Sequence, residues 1–369
     1  MALSSFRSRL RPGILDVSAL RLFDYARAGQ GLARLDCNEM ALPMSAEERA
    51  FFGEVVADLD LHRYPDVSGR PLREALASRW DVEPDEILLG NGSVELLALL
   101  MTALGSEGTA GPAKLIYPEP SFPQYEVIAR THGLVPIAVP LSANFQLDET
   151  RCAEAIARER PALAVFASPN NPTGNRFDED VLVRLANLVD GAFVADEAYA
   201  DFTGHTLLPR LRTTPSLFVL RSLSKIGLAG LRLGALVGAR EAIADLDRVR
   251  LPWNVNAVSI ALGCAALAHP EPMQARIREC IALRRALDAG LRRISGITVY
   301  PSEANFILVR TAQRAGDVAR HLLNHGVLVK DVSAPGLLAD CLRISVGTAE
   351  ENERCLRALH TAFHPDMPA

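Results

Sequence analysis

Apolar residues along the chain gather in short, nearly continuous runs, separated by amphipathic stretches. EILLG (86–90), LIYPEP (115–120), LVPIAVPL (134–141), ALAVFAS (162–168), AFVADEAY (192–199), SLFVLRS (216–222) and LRLGALVG (231–238) have the length and composition of strands. The helical period appears between them, in PLREALASRW (71–80), VELLALLMTALG (94–105), PQYEVIARTHG (123–133), ETRCAEAIARER (149–160) and EDVLVRLANLVDG (179–191). Strands this apolar suit a mostly parallel sheet covered by helices on both faces. Residues 241–295 read as almost wholly helical, interrupted around Pro252 and His269–Pro270. A last unit follows, with ITVYP, NFILVR, VLVKD and CLRISVG as strands and GDVARHLLNHG and EENERCLRALHTAF as helices. It predicts a compact α/β sandwich on a separate antiparallel sheet. The pattern is that of a two-domain α/β protein whose division runs inside the long helices, near 265–285.

Length and charge narrow the classes. The 369 residues, 49% hydrophobic and 22% charged, suffice for one large core and a smaller one. A formal net charge of −5 and the lack of a dense basic tract argue against a nucleic-acid partner. The longest apolar stretches, 94–104 and 257–268, are too short to span a bilayer, and residues 1–20 hold no signal-like core, so a cytoplasmic protein without membrane association is expected. Six scattered cysteines without C-x-x-C, and no H-E-x-x-H, predict reduced thiols and no metal site.

Candidate chemistry collects at the C-terminal ends of the strands, where open α/β sheets bind ligands. Those ends are GNGS (90–93), PEPSF (118–122), SPNNPTG (168–174), DEAY (196–199) and SLSK (222–225). GNGS joins a strand to a helix and offers free N–H groups and a dipole to a phosphate, although a plain turn with an N-cap explains the same letters. It lacks the G-x-x-x-x-G-K and G-x-G-x-x-G patterns. Asp196 closes an apolar strand, where a carboxylate needs a cation or strong donors, unless it merely caps a turn. Tyr199 follows three residues later, and Lys225 ends the next strand among small residues with no carboxylate between Arg212 and Arg240. Any single loop lysine is ordinarily solvated. The joint set, however, matches the needs of pyridoxal 5′-phosphate, with its phosphate, ring nitrogen, ring hydroxyl oxygen and aldehyde.

These motifs, with GLAGLRLG (227–234), HRYPD (62–66), NVN (254–256) and LRISVGT (342–348), resemble the fold-type-I pyridoxal-phosphate aminotransferases, and among them the histidinol-phosphate aminotransferase family. The resemblance spans about Leu35 to Leu356. It implies a large domain (45–270) built on a mostly parallel mixed sheet with helices on both faces, and a small α/β domain formed by 1–44 and 271–369. It implies that Lys225 forms the Schiff base and shuttles the proton, that Asp196 pairs with the ring nitrogen, and that Tyr199 and Asn171 bond the ring oxygen. Phe122 would stack on the ring, while Gly92, Ser93, Ser222, Ser224 and Arg232 would surround the phosphate with Tyr64 from a second subunit. A homodimer with sites at its interface follows. Arg343, with Lys330 and Asn171, would bind the substrate: the carboxylate of glutamate in one half-reaction and the phosphate of histidinol phosphate in the other. The local sequence also allows Arg343 to be an ordinary strand-edge arginine and Tyr64 an ordinary turn residue. Asn171–Pro172 is expected to be cis.

Departures from the resemblance bear on the substrate. The step from Lys225 to Arg232 is seven residues where many relatives have eight, and Leu20, Met40, Ala41, Trp253 and Lys330 replace residues frequent in the family. The expected reaction is transamination of histidinol phosphate with 2-oxoglutarate. An aromatic amino acid aminotransferase, or a decarboxylase of the threonine-phosphate type, is the alternative on the same scaffold.

Overall fold

The computed structural model describes residues 7–10, 12–17, 31–105 and 111–364; Leu20 lies outside them. A short first strand, β1 (Ala33–Leu35), belongs to a second sheet considered below. The seven apolar runs form β2 (Ile87–Asn91), β3 (Lys114–Glu119), β4 (Val135–Pro140), β5 (Leu163–Ala167), β6 (Ala192–Asp196), β7 (Leu217–Ser222) and β8 (Leu233–Val237). They make one sheet in the order β2-β8-β7-β6-β5-β3-β4. Only β8 runs against its neighbours, β2 and β7; the pairs from β7 across to β4 are parallel.

Every residue of β5, β6, β7 and β8 is buried, and the pleat divides them between two cores. On β5, Leu163, Val165 and Ala167 face a layer containing Leu96, Leu97, Leu100 and Tyr125, while Ala164 and Phe166 face a layer containing Leu72, Phe177 and Tyr199. The continuous hydrophobicity of the runs thus has its cause in helices on both sides.

The second sheet has the order β1-β11-β12-β10-β9, with β9 (Ile297–Val299), β10 (Phe306–Thr311), β11 (Val327–Asp331) and β12 (Cys341–Ser345). The last four are mutually antiparallel, as expected. The sheet as a whole is mixed, because β1 adds to β11 in parallel, Ala33 opposite Val327. Three residues are too few to register as a strand in the sequence pattern; β1 exists because a distant edge receives it. The helix Ala46–Ala57 was equally hidden, since none of its residues is buried. Its start is fixed instead by a reciprocal cap between Ser45 and Glu48, and Glu48 also accepts from Arg276 at 2.6 Å. The Glu119–Pro120, Ser168–Pro169 and Asn171–Pro172 bonds are cis.

Glu197, to which the sequence analysis assigned no role, anchors a buried charge network. Its carboxylate accepts from Thr206 Oγ1 and the Leu207 N–H, both at 2.6 Å, and from Arg221 at 2.9 Å. Arg221 also binds Asp201 at 3.0 Å, which accepts from Arg79 at 3.3 Å. Removing one partner of such a pair strands a buried charge. Glu197→Ala is therefore expected to lower unfolding stability by about 3–5 kcal/mol. Breaking the exposed Arg160–Asp190 pair should cost about 1 kcal/mol or less. Urea unfolding of the two variants checks the contrast.

Candidate active site

Because β2, β7, β6 and β5 point the same way, their C-terminal ends share one rim with the start of β8. Asp196 and Ser222 end the neighbouring strands β6 and β7, and the turn Leu223–Ile226 carries Lys225. The Lys225 amine lies 5.8 Å from the centre of the Tyr199 ring and donates to the Cys37 carbonyl at 3.3 Å. The geometry brings together the carboxylate, phenol and amine singled out in the sequence.

Asp196 is buried, and its two oxygens accept from the Tyr125 hydroxyl at 2.6 Å and the Ala198 N–H at 3.1 Å. Burial pushes its carboxyl above the ordinary value; the Tyr125 and Ala198 hydrogen bonds and the charge of Lys225 pull the other way without prevailing. Tyr125, missed in the sequence, is wholly buried in the helix Gln124–His132, and burial beside Asp196 raises its own pKa well above the ordinary value. Only its place at the start of an amphipathic helix hinted at more than core packing. Phe122 packs edge-on against Tyr125 with ring centres 5.5 Å apart.

A cup with no room for side chains lies beside this cluster. Gly92, at φ +86°, caps the helix Ser93–Leu104, so the Ser93 hydroxyl is not used as the cap that the sequence suggested. A Cβ at Gly92 would come within 2.5 Å of Arg232 Nη2. At Gly234 it would come within 2.6 Å of Gly92 C and of Ser93 N. Arg232 donates to Ser224 Oγ at 3.2 Å, and Ser222 Oγ accepts from the Ser224 N–H at 3.3 Å. Glycine backbone, a helix N-terminus, hydroxyls and a guanidinium therefore converge, the donor set that an oxyanion group requires.

On the other side Arg343, on β12, passes over the Phe306 ring, 5.5 Å from its centre. It donates to Asn171 Oδ1 at 2.7 Å and to the Asp36 carbonyl, both neutral oxygens, while its buried Nε has no partner among the described residues. Burial pulls its guanidinium below the ordinary value. This is a desolvated cation suited to an incoming anion. Lys330 is exposed and stands directly opposite Arg343 in the β11–β12 register, so both side chains belong to one face. Tyr64 lies apart from this cluster, 77% exposed and stacked on Trp253 with ring centres 4.3 Å apart. Met40 and Ala41 are half-buried, Met40 against the large core. Asn38 was also missed: buried and at φ +54°, it donates to the Tyr199 hydroxyl at 3.0 Å.

The sequence profile of the family described as aminotransferase class I and II matches residues 35–359. The chain belongs to this family. Among the aminotransferases it is similar to histidinol-phosphate aminotransferase 2 of Nitrosococcus oceani, 40% identical over 95% of this chain and 96% of that one. It is also similar to histidinol-phosphate aminotransferase of Chromobacterium violaceum, 37% identical over 96% and 98%. The crystal structure of histidinol-phosphate aminotransferase from Sinorhizobium meliloti, in complex with pyridoxal 5′-phosphate, shares the fold with a TM-score of 0.85 at 23% identity, covering 97% of this chain and 98% of that one.

The raised carboxyl of Asp196 has a consequence for the aminotransferase stripped of small molecules. A carboxyl whose folded value lies above its unfolded one contributes stability that is complete below the unfolded value, about 3.9, and is lost as pH rises through the folded value. Asp196→Asn removes this loss. The stripped variant is expected to be more stable than the parent at neutral pH, with the difference closing near pH 3; thermal melts across that range check it.

Proposed function

We propose that this aminotransferase uses pyridoxal 5′-phosphate to exchange the amino group between histidinol phosphate and 2-oxoglutarate. The observation that carries the reading is the meeting of Lys225, Asp196 and Tyr199 at one rim, beside a cup that any Cβ would obstruct. The residues fit the cofactor. Gly92, Ser93, Ser222, Ser224 and Arg232 would hold its phosphate, Asp196 its ring nitrogen, Tyr199 and Asn171 its ring oxygen, and Phe122 one face of the ring. When bound, pyridoxal phosphate supplies an aldehyde for amines and a ring that takes up the electron pair left at the substrate carbon.

Lys225 is the amine that anchors the cofactor and the base that removes and returns the substrate Cα proton. Asp196, whose carboxyl burial pushes above its ordinary value, would face the ring nitrogen and favour its protonated form. Arg343, whose Nε has no partner among the described residues, binds the substrate's anionic end, with Asn171 holding the guanidinium in place and Lys330 adding charge from the same face. The names of the relatives at 40% and 37% identity support histidinol phosphate as the amino donor.

We further read residues 45–270 as the cofactor domain and 1–44 with 271–369 as the small domain; the two separate sheets, and the addition of β1 to the second, support this division. A cytoplasmic location accords with the absence, among the described residues, of any helix long and apolar enough to cross a membrane. A homodimer is supported by apolar side chains left exposed around Tyr64: Leu61, Val67, Leu251 and Trp253. In that assembly Tyr64 serves the partner's phosphate cup.

Mixed separately with histidinol phosphate, phenylalanine, threonine phosphate and glutamate, the purified enzyme is expected to change cofactor absorbance with histidinol phosphate and glutamate. Arg343→Ala should weaken the response to both by about tenfold or more. A response to threonine phosphate or phenylalanine in place of histidinol phosphate would reassign the substrate. For the assembly, sedimentation should give a dimer for the parent, whereas Leu251→Glu with Trp253→Glu should give a monomer with reduced cofactor affinity.

A further inference from the structure

Asn38 follows β1 and holds the left-handed backbone conformation that asparagine tolerates better than most residues. Three hydrogen bonds hold it to Ser345, at the end of β12 in the second sheet, and to Asn305, just before β10. Its N–H donates to Ser345 Oγ at 2.9 Å, Ser345 Oγ donates to Asn38 Oδ1 at 3.1 Å, and Asn305 Nδ2 donates to its carbonyl at 2.9 Å. The fourth leaves that sheet: Asn38 Nδ2 donates to Tyr199 Oη at 3.0 Å.

Counting protons fixes which way each group points. Ser345 is buried and has one hydroxyl proton; its oxygen already accepts from the Asn38 N–H. That proton is satisfied only if Oδ1 is the amide atom facing it, so the NH₂ group must face Tyr199. Reversing the amide would leave the Ser345 proton without an acceptor among the described residues. The Tyr199 oxygen therefore accepts from Asn38, and its own proton is left for a different acceptor in the site.

We propose that Asn38 is a positioning residue that obliges Tyr199 to act as a hydrogen-bond donor toward the anionic ring oxygen of the cofactor. The proposal rests on the reading above that Tyr199 faces that oxygen. It adds that the direction of this hydrogen bond is set by a side chain anchored to the other sheet, through Ser345. A donor at the ring oxygen competes with the proton on the lysine-linked nitrogen, so losing it makes that proton harder to remove and raises the pH at which cofactor absorbance titrates.

The decisive variant is Asn38→Asp, which preserves shape, backbone tolerance and the Ser345 contact but replaces the donor by an acceptor that captures the Tyr199 proton. Three quantities are measured for each variant: affinity of the stripped protein for pyridoxal phosphate, the absorbance titration of the loaded enzyme, and the melting temperature of the stripped protein. Asn38→Asp is expected to weaken cofactor binding by about tenfold and to raise the titration midpoint by about one pH unit. On a Tyr199→Phe background it should add nothing further to either. Ser345→Ala, which frees the amide to turn, should move both in the same direction by less, and serves if the aspartate variant does not fold. Midpoints at the parent value in the folded Asn38 and Ser345 variants, while Tyr199→Phe alone shifts its own, would overturn the role of Asn38. If Tyr199→Phe itself shifts nothing, the placement of Tyr199 at the ring oxygen fails, and the proposal with it.

Discussion

A carboxylate at the end of a strand with no exposed residue is the constraint around which this molecule is organised. Asp196 has left water at a free-energy cost that two hydrogen bonds and a nearby amine only partly offset. The strand that places it must be buried on both faces, which demands helices above and below. Its neighbour β7 must then deliver Lys225 to the same rim, which parallel pairing achieves through the register of Asp196 with Leu220. In the proposed function that uncomfortable carboxyl is the group that would face a protonated ring nitrogen, so stability lost at Asp196 would be exchanged for cofactor binding.

The large sheet was legible because its strands are apolar throughout, and a buried parallel strand leaves that mark in composition alone. Asp196, Tyr199 and Lys225 were legible for the opposite reason, being polar groups set at the ends of apolar runs. What the sequence concealed depends on distance along the chain. Tyr125 looks like any aromatic on a helix until the fold sets its hydroxyl against Asp196, 71 residues later. Asn38 lies in a segment with neither period nor length, and its meaning comes from Ser345, 307 residues away. Glu197 gave no signal of its own because its partner Arg221 sits inside a strand whose apolar neighbours masked it.

The two sides of the site are also built differently. The cup proposed for the phosphate joins glycine backbone to the Ser222, Ser224 and Arg232 side chains, and a Cβ at Gly92 or Gly234 would crowd it. The side proposed for the substrate relies on side chains, Arg343, Asn171 and Lys330, which can be exchanged with less effect on the main chain. Of the family departures, Lys330 falls on that side, opposite Arg343 in the β11–β12 register.

The pairing of β1 with β11 joins positions near opposite ends of the polypeptide. During synthesis the residues of the seven-stranded sheet all leave the ribosome before Val327 does, so that layer can assemble while the segment bearing Cys37 and Asn38 still lacks its edge. The Cys37 carbonyl that accepts from Lys225 and the Asn38 amide that donates to Tyr199 are thus seated last, and a nascent or C-terminally truncated chain would carry Lys225 without the wall that orients its surroundings.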